Sequence, residues 1–433
     1  MQKKEKALVI GLGVSGKSAA RFLRHLGYDV YGFDSKDVEI EFLETTIFSQ
    51  VEPLLDVPFS LVVVSPGISV NHPLIRHFLH KNVEVIGEAE LAFRHFRGKA
   101  VAITGTNGKT TVTLLIEHIL KSSGKKARAL GNVGTPLTQH LLDGDSAEIV
   151  VAEVSSYQLE TMKSKVFSAG VVLNITPDHL DRYESFYSYA EAKAKLQDCL
   201  IQGGDLYVFE KVIEEFPQLF STSFHEIGMQ DSSFLQIRGL FIFKNGNFLC
   251  SLPLAYEELG DHDRLNALAA LALCSHLGVS LEEFLVALES FEKPAHRIQF
   301  ISKIHGVSYY DDSKGTNVDA VIQSVLSMRG PVVLIAGGVD KGSSYLPWKD
   351  VFKDKVKAMI VLGEAAKKIE GELSLFFNVT IVDSLEEAVK KARDLAQDGD
   401  SVLLSPGCSS FDMFRDYAHR GNEFQKFVRE GKG

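Results

Sequence analysis

The chain has 433 residues, 45% of them apolar and 24% charged, which is an ordinary globular composition and enough for about three domains. Its net charge of −10, without Lys and Arg runs interleaved with aromatic residues, argues against a nucleic-acid or anionic-membrane surface. No apolar run reaches the roughly 18 residues of a membrane span, and the four cysteines lack zinc-ligand spacing, so we expect buried thiols in a cytoplasmic protein.

The first part of the chain predicts a Rossmann-like unit. A strand over residues 7–10 runs into the turn Gly11-Leu12-Gly13-Val14-Ser15-Gly16 and a helix, and a second strand over residues 29–33 ends at Asp34. The glycines allow close approach of a pyrophosphate, and Asp34 can accept a ribose or base hydrogen bond. The pattern is that of an NAD dehydrogenase, but another nucleotide diphosphate or a purely structural turn fits it as well.

A further strand, over residues 61–64, runs into Ser65-Pro66-Gly67, at the strand end where doubly wound sheets bind ligands. Strands alternate with helices along the whole chain, which predicts mainly parallel sheets. We therefore predict an α/β protein of three domains. These are an N-terminal Rossmann-like domain (1–97), a central P-loop ATPase-like domain (98–295) and a C-terminal Rossmann-like domain (296–433).

The central domain carries the most informative segment, Thr104-Gly105-Thr106-Asn107-Gly108-Lys109-Thr110-Thr111. It joins a predicted strand, residues 99–104, to a predicted helix, residues 111–121. Backbone N–H groups in such a turn point at phosphate oxygens, Lys109 can neutralise them, and the Thr110 hydroxyl can ligate Mg²⁺. The spacing departs from the standard P-loop, because Ile103 stands where the first glycine would fall. We predict that the protein uses ATP, which a dehydrogenase does not need.

Candidate metal ligands follow this segment. Glu153 ends an apolar run at residues 149–152, so it would lie at a strand end and meet an Mg²⁺ held by Thr110.

A second polar group, Asp178, His179 and Asp181, follows a predicted strand at residues 170–173. Composition alone leaves open whether this segment binds a metal or is a capping and salt-bridge loop. On composition alone, Lys193 belongs to a solvated helix face.

The chain resembles the Mur ligase family through motifs that span all three predicted domains. The motifs are Thr104-Gly-Thr-Asn-Gly-Lys-Thr110, Gly131-Asn-Val-Gly134, Glu153-Val-Ser-Ser-Tyr-Gln-Leu-Glu160, Asp178-His-Leu-Asp-Arg-Tyr183, His296-Arg297, Asp312-Ser-Lys-Gly-Thr-Asn317 and Ser405-Pro-Gly-Cys-Ser-Ser-Phe-Asp412.

The resemblance implies an ATP-dependent ligase that adds D-glutamate to UDP-N-acetylmuramoyl-L-alanine through an acyl phosphate, in cytoplasmic synthesis of peptidoglycan precursors. It also implies two divalent metal sites for Mg²⁺, with Mn²⁺ as the other candidate, and we expect a monomer that binds no nucleic acid and inserts into no membrane. The alternatives are a related ligase with another amino acid or acceptor, a folate-type glutamate ligase, an NAD-dependent dehydrogenase and a nucleotide-binding regulator.

The resemblance assigns residues to each substrate. For ATP these are Gly105, Thr106, Asn107, Gly108, Lys109, Thr110, Thr111, Asn266, Arg297 and Asp312. For the UDP-linked substrate they are Val14, Ser15, Asp34, Ser35, Ser65, Pro66, Gly67 and Asn132. For D-glutamate they are Lys314, Thr316, Lys341, Ser410, Phe411 and Tyr417, a set whose cations and hydroxyls suit a dianion.

The resemblance also implies the metal ligands and the catalytic residues. Thr110 and Glu153 would hold the first Mg²⁺ and His179 the second, and Lys193 would become a metal ligand after carbamylation by CO₂. Lys109, His179 and Lys193 are then the catalytic candidates.

One position departs from the family pattern. The family commonly has His-Asn-x-x-Asn where this chain has His262-Asp263-Arg264-Leu265-Asn266, which we interpret as a helix N-cap at Asp263.

Overall fold

The computed structural model describes residues 4–35, 46–144, 147–180, 182–221, 223–257 and 259–430, so Asp181 lies outside the described residues. The chain divides into two compact units. The first contains Met1–Ile175, Tyr187–Ala255 and Arg264–Phe291. The second contains Thr176–Phe186, Tyr256–Asp263 and Glu292–Gly433. Two segments that the sequence places in the central domain, residues 176–186 and 256–263, therefore belong to the second unit.

The first sheet is formed by parallel strands in the order β3-β2-β1-β4-β5. Its strands are β1 (Lys6–Ile10), β2 (Asp29–Phe33), β3 (Thr46–Phe48), β4 (Leu61–Val64) and β5 (Glu84–Gly87). The accompanying helices are α1 (Val14–His25), α2 (Pro73–His80) and α3 (Glu88–His95). Alternate residues of β1 enter two different core clusters, so both faces of the sheet are covered, as expected for a doubly wound sheet.

The central sheet has the strand order β14-β13-β12-β11-β10-β9-β6-β8-β7. Its strands are β6 (Lys99–Thr104), β7 (Ala127–Gly131), β8 (Ile149–Glu153), β9 (Phe167–Val172), β10 (Leu200–Phe209), β11 (His225–Gly228), β12 (Leu235–Arg238), β13 (Phe241–Lys244) and β14 (Asn247–Ser251). In this sheet, all neighbouring strands between β7 at one edge and β12 are parallel. The pairs β12–β13 and β13–β14 are antiparallel, and the alternation of strands and helices did not predict this extension.

The helices of this part of the chain lie between its strands and after them. They are α4 (Lys109–Ser122), α5 (Leu137–Leu142), α6 (Ser156–Glu160), α7 (Phe186–Ala194), α8 (Glu210–Glu215), α9 (Asp261–His276) and α10 (Leu281–Glu289). Short 3₁₀ turns occur at Glu52–Leu54, Lys195–Cys199, Pro217–Leu219 and Leu254–Glu257.

The third sheet has the order β15-β16-β20-β17-β18-β19. Its strands are β15 (Gln299–Ile304), β16 (Val307–Asp311), β17 (Val332–Gly337), β18 (Val356–Leu362), β19 (Val379–Ile381) and β20 (Ser401–Leu404). Its helices are α11 (Val318–Ser327), α12 (Trp348–Phe352), α13 (Ala366–Leu373), α14 (Leu385–Leu395) and α15 (Tyr417–Glu430). The pair β15–β16 is antiparallel and the other pairs are parallel.

These sheets confirm the predicted three-domain α/β architecture, whereas the boundaries after residues 97 and 295 remain predictions. The predicted strands at residues 29–33, 61–64 and 99–104 coincide with β2, β4 and β6. Helix α4 begins at Lys109, two residues earlier than predicted, because the left-handed turn is completed at Gly108. None of the helices in the described ranges is long and apolar enough to span a bilayer. All four cysteines are buried, as predicted.

Candidate active site

The ATP loop, residues 105–110, joins β6 to α4 through two glycines with positive φ, Gly105 (151°) and Gly108 (84°). The side chain of Asn174 holds this loop. Its Oδ1 accepts hydrogen bonds from the backbone N–H of Thr106 (3.1 Å) and of Asn107 (2.7 Å), and its Nδ2 donates to the Asn107 carbonyl (3.0 Å). Asn174 is therefore a shaping residue of the ATP loop that sequence reasoning missed. The available signal was a polar residue directly after buried Leu173.

The ammonium groups of two predicted catalytic lysines converge on the first residue of the ATP loop. Lys109 Nζ donates to the carbonyls of Gly105 and Thr106, both at 2.7 Å. Lys193 Nζ donates to the Gly105 carbonyl at 2.8 Å and lies 4.5 Å from the centroid of the Tyr189 ring. Lys193 is only 1% exposed, so the solvated-helix interpretation is wrong.

Glu153, the last residue of β8, has the environment of a cation ligand. It is 2% exposed, and its Oε1 accepts a hydrogen bond from Asn132 Nδ2 at 3.0 Å. Its Oε2 is buried without a hydrogen-bond partner among the described residues. A buried, uncompensated carboxylate oxygen is costly, and a cation would offset that cost. The residues present therefore fit Mg²⁺.

No group of three or more His, Cys, Asp and Glu side chains in the described part of the chain could hold a metal ion. In proteins, Mg²⁺ usually binds one or two carboxylates together with water and substrate phosphates. Thr110, Glu153 and Lys193 belong to the first unit, whereas His179 belongs to the second.

Asn266, which the sequence analysis assigns to ATP, lies in α9, and its side chain lies beside Gly108 of the ATP loop. A Cβ atom at Gly108 would stand 2.7 Å from Asn266 Oδ1, so only glycine fits beside this amide. The N-cap interpretation of Asp263 is wrong, because this residue lies inside the first turn of α9 and its Oδ2 accepts a 2.6 Å hydrogen bond from Lys293 Nζ. The carboxylate thus has a cation partner that an asparagine at this position would not need.

The three predicted turns for the UDP-linked substrate meet at the carboxyl edge of the first sheet. Asp34 Oδ2 accepts a 2.7 Å hydrogen bond from the Leu12 N–H, and the Ser65 hydroxyl donates to the Gly11 carbonyl at 2.7 Å. A Cβ at Gly16 would stand 1.8 Å from the Gly11 carbonyl oxygen, so the tight turn requires glycine.

The remaining residues predicted for this substrate fall into two groups. Five belong to the same edge of the first sheet: Val14, Ser15, Ser35, Pro66 and Gly67. Asn132 lies instead in the central sheet region, bonded to Glu153, so the structure groups it with the metal candidate.

In the second unit, Asp312 follows β16 and is 5% exposed. Its Oδ2 accepts hydrogen bonds from the hydroxyls of Ser324 (2.6 Å) and Ser405 (2.7 Å). Burial raises the pKa of Asp312 to about 6, against these hydrogen bonds and the positive charge of Arg297, which lower it. The structure thus brings together the two residues predicted for ATP in this unit, Arg297 and Asp312.

The carboxylate of Asp178 accepts hydrogen bonds from one lysine and one asparagine of the second unit. Its Oδ1 accepts a 3.0 Å hydrogen bond from Lys341 Nζ, and its Oδ2 accepts one from Asn317 Nδ2 at 3.4 Å. His179 has a left-handed backbone (φ 55°), and its Nε2 lies 3.6 Å from Asp178 Oδ2. Lys341, which the sequence assigns to D-glutamate, therefore has a carboxylate partner within the protein.

Of the other residues predicted for D-glutamate, four lie on loops that follow strands of the third sheet, and Tyr417 begins α15. Lys314 Nζ stands 4.0 Å from the centroid of the Tyr417 ring, a cation–π contact between two of them. Ser410 is 3% exposed whereas Phe411 is 74% exposed. Thr316 is partly buried.

The side chain of Arg420, in α15, connects two strand-end loops of the third sheet, residues 312–317 and 405–412, and its Nη1 also donates to the carbonyl of Gly337 (3.5 Å), the last residue of β17. Its Nη2 donates to the carbonyls of Ser313 (2.9 Å) and Cys408 (3.2 Å), and its Nη1 donates to the carbonyl of Ser409 (3.3 Å). Burial lowers the pKa of Arg420 to about 10. Nothing in its sequence neighbourhood marked this arginine as part of a site.

Models of one protein family match most of the chain. Models of the Mur ligase MurD-like N-terminal domain, the Mur ligase middle domain and the Mur ligase glutamate ligase domain match residues 5–87, 103–274 and 296–408. The chain is 48% identical over 434 residues to a UDP-N-acetylmuramoylalanine–D-glutamate ligase of Protochlamydia amoebophila (strain UWE25), covering 98% of each protein. The chain belongs to the Mur ligase family. It is also 35% identical to the protein of the same name from Thermoanaerobacter sp. (strain X514), over 99% of each.

Solved structures of Mur ligases share the fold at lower identity. UDP-N-acetylmuramate-alanine ligase MurC from Thermotoga maritima is 20% identical, with a TM-score of 0.61 over 99% of this chain and 100% of that one. MurF ligase from the same organism, solved in complex with ADP, is 15% identical, with a TM-score of 0.61 over 99% of this chain and 96% of that one. These structures support the fold of the chain.

Proposed function

We propose that this protein is an ATP-dependent ligase that joins D-glutamate to UDP-N-acetylmuramoyl-L-alanine through an acyl phosphate, as a monomer in the cytoplasm. The observation that carries the class of reaction is the ATP loop with Lys109, next to a buried carboxylate oxygen of Glu153 that has no partner among the described residues. The choice of D-glutamate rests on the full-length similarity to ligases named for that amino acid.

The first chemical step is phosphoryl transfer. A carboxylate is a poor electrophile, so the γ-phosphate of ATP would pass to the alanyl carboxylate and turn it into an acyl phosphate. Lys109 would neutralise the β- and γ-phosphates, and the backbone of the ATP loop would hold them at the start of α4. Mg²⁺ held by Thr110 and Glu153 would supply further positive charge to the transferring group.

Lys193 would carry the carbamate that the family resemblance implies and would serve as a metal ligand, and His179 would bind the second metal. An ammonium cannot ligate Mg²⁺, whereas a carbamate oxygen can. Its placement supports this proposal, because Lys193 is buried and shares the Gly105 carbonyl with another cationic lysine. The unprotonated amine is the nucleophile that reacts with CO₂.

The second step is attack of the D-glutamate amine on the acyl phosphate, with loss of phosphate. The loops of the third sheet would hold the two carboxylates through Lys341, Lys314 and the hydroxyls of Thr316 and Ser410, leaving the amine one direction of approach. The ammonium of the free amino acid must first lose a proton. His179 and the carbamate of Lys193 are the two candidate acceptors.

The UDP end of the acceptor would bind the edge of the first sheet. The turns at Gly11, Asp34 and Ser65 already contact one another there, and a nucleotide diphosphate fits the close backbone approach that glycines allow. Asn132 would contact the muramoyl portion, which must extend toward Glu153 and the ATP loop.

The proposal is tested by measuring phosphate release with each substrate omitted in turn. We expect release only when ATP, UDP-N-acetylmuramoyl-L-alanine and D-glutamate are all present. A panel of amino acids and acceptors separates the related ligases, and a nicotinamide absorbance assay tests for a dehydrogenase. Phosphate release with another amino acid but not with D-glutamate would contradict the proposed substrate.

A further inference from the structure

Two of the third-sheet loops proposed to hold the amino acid meet at one tyrosine. Tyr345 is 1% exposed, and its hydroxyl donates a 3.2 Å hydrogen bond to Asp340 Oδ1. The same hydroxyl lies 3.0 Å from Cys408 Sγ. Because the hydroxyl proton goes to the carboxylate, the thiol proton can go to the Tyr345 oxygen, which gives a chain of donors from thiol to hydroxyl to carboxylate.

The positions of the two loop residues make this contact relevant to binding. Asp340 directly precedes Lys341, and Cys408 lies two residues before Ser410. The backbone joins the same two loops through a 2.9 Å hydrogen bond from the Val339 N–H to the Ser409 carbonyl. The spacing between Lys341 and Ser410 therefore depends on contacts between the loops, and Tyr345 supplies one buried side-chain connection.

The tyrosine itself is anchored without its hydroxyl. Its backbone N–H donates to Glu372 Oε2 at 2.6 Å, and its ring packs edge-on against Trp348 at a centroid distance of 5.1 Å. Asp340 has a second partner, because Lys368 Nζ donates to its Oδ2 at 2.8 Å. Removing the hydroxyl would therefore leave the ring in place and delete one side-chain link between the loops, while the Val339–Ser409 backbone hydrogen bond remains.

We propose that Tyr345 is a positioning residue that sets the spacing of Lys341 and Ser410 and thereby the affinity for the incoming amino acid. The inference rests on the proposed function, because it assumes that these loops bind the amino acid. Tyr345 acts through Asp340 and Cys408 and does not itself contact the substrate. Without this link Lys341 can move relative to Ser410. Only the affinity for the amino acid, which both residues would bind, therefore decreases.

The test is Tyr345→Phe, assayed for the KM of each of the three substrates and for kcat. We expect the KM for D-glutamate to rise about 3- to 10-fold, the worth of one hydrogen bond, while the KM values for ATP and the UDP-linked substrate stay within about 2-fold. The matched control is Tyr309→Phe. Tyr309 is also 1% exposed but belongs to the core cluster on the other face of the sheet. We expect it to leave all three KM values unchanged.

A double-mutant cycle with Asp340→Ala separates positioning from a general loss of stability. If Tyr345 acts through Asp340, Tyr345→Phe should raise the D-glutamate KM less in the Asp340→Ala background than in the wild type. An unchanged D-glutamate KM, equal increases in all three KM values, or additive effects in the cycle would each overturn the inference. If the wild type uses a different amino acid, the proposed substrate fails, and the same comparison is made with the KM of that amino acid.

Discussion

Lys109 and Lys193 donate hydrogen bonds to the same carbonyl oxygen, that of Gly105, at 2.7 Å and 2.8 Å. One lysine comes from the start of α4 and the other from the end of α7, so two distant parts of the sequence place their ammonium groups on the first residue of the ATP loop. Two permanent positive charges at one carbonyl oxygen would repel each other. This is consistent with different roles for the two lysines, phosphate binding for Lys109 and carbamylation for Lys193.

For Lys193, we expect Lys193→Ala to lose most activity and small carboxylates such as formate or acetate to restore part of it by occupying the vacated ligand position. Wild-type activity should fall when CO₂ and bicarbonate are stripped. The control is Lys195→Ala, because this lysine is exposed two residues further along and should be dispensable. NMR of the protein equilibrated with isotope-labelled bicarbonate reports the carbamate directly, and its absence in the metal-bound enzyme would contradict the proposal.

For Lys109, we expect Lys109→Ala to lower turnover on the order of 10³-fold or more, because a cation on a transferring phosphoryl group has that worth elsewhere. The fold should survive, since this lysine is only partly buried and contributes little packing. Steady-state phosphate release and thermal unfolding check the two claims. The control is Lys121→Ala, at the exposed far end of α4. If Lys109→Ala kept most of the activity, the role of Lys109 in phosphoryl transfer would be contradicted.

For Asn174, we expect Asn174→Ala to raise the KM for ATP about tenfold, because the ATP loop loses the three hydrogen bonds made by the Asn174 side chain, although the Thr106 N–H keeps its 2.9 Å hydrogen bond to the Asn174 backbone carbonyl. The KM for D-glutamate should change much less. Steady-state kinetics with each substrate varied in turn measures both values. The exposed Asn247→Ala on β14 is the matched control, and an equal effect of both variants would mean that Asn174 does not shape the loop.

For Lys341, we expect Lys341→Ala to raise the KM for D-glutamate roughly 10- to 100-fold and to change the KM values for ATP and the UDP-linked substrate far less. Turnover with L-glutamate should be negligible in the wild type, because fixing both carboxylates would point its amine away from the acyl phosphate. The exposed Lys349→Ala is the control. If Lys341→Ala raised only the KM for ATP, the assignment of Lys341 to D-glutamate would be wrong.

For Asp312, the raised pKa makes a prediction about stability. Burial lifts the pKa from 3.8 to about 6, so the folded state prefers the protonated acid. Below about pH 4 the carboxyl is protonated in both the folded and the unfolded state, so its raised pKa does not reduce the free energy of unfolding. As the pH rises from about 4 to about 6, ionisation is favoured in the unfolded state, and the free energy of unfolding falls by up to about 3 kcal/mol. Thermal unfolding of wild type and Asp312→Asn across this window checks the prediction. The wild type should lose stability relative to the variant as pH rises, and a constant difference would contradict it.

Most of the fold could be predicted from the sequence because its signals are local. Buried parallel strands such as β4 and β6 read as short apolar runs, and the glycines after them mark turns that other residues cannot form. The antiparallel extension β13–β14 was missed because its exposed aromatic residues, such as Phe241 and Phe248, do not read as a core strand.

Local composition did not predict the burial of Lys193 or the contacts of Arg420, because both depend on contacts between distant segments. Lys193 looks solvent-facing because exposed Glu191 and Lys195 flank it, and only the tertiary fold turns its side chain to the Gly105 carbonyl. Arg420 belongs to a polar C-terminal helix, and its role is defined by carbonyls about 10 and about 100 residues away in sequence.

The burial of the four cysteines has a practical consequence for solution studies. Burial raises the pKa of Cys199 to about 12 and of Cys408 to about 11, and it also raises the pKa values of Cys250 and Cys274. Because the thiolate is the nucleophile that attacks a maleimide, we expect these buried thiols to react little with thiol-directed fluorophores. A single cysteine introduced at an exposed position would then accept an environment-sensitive dye, without removal of any native cysteine. Placed near one of the proposed binding loops, the dye would report substrate binding in real time.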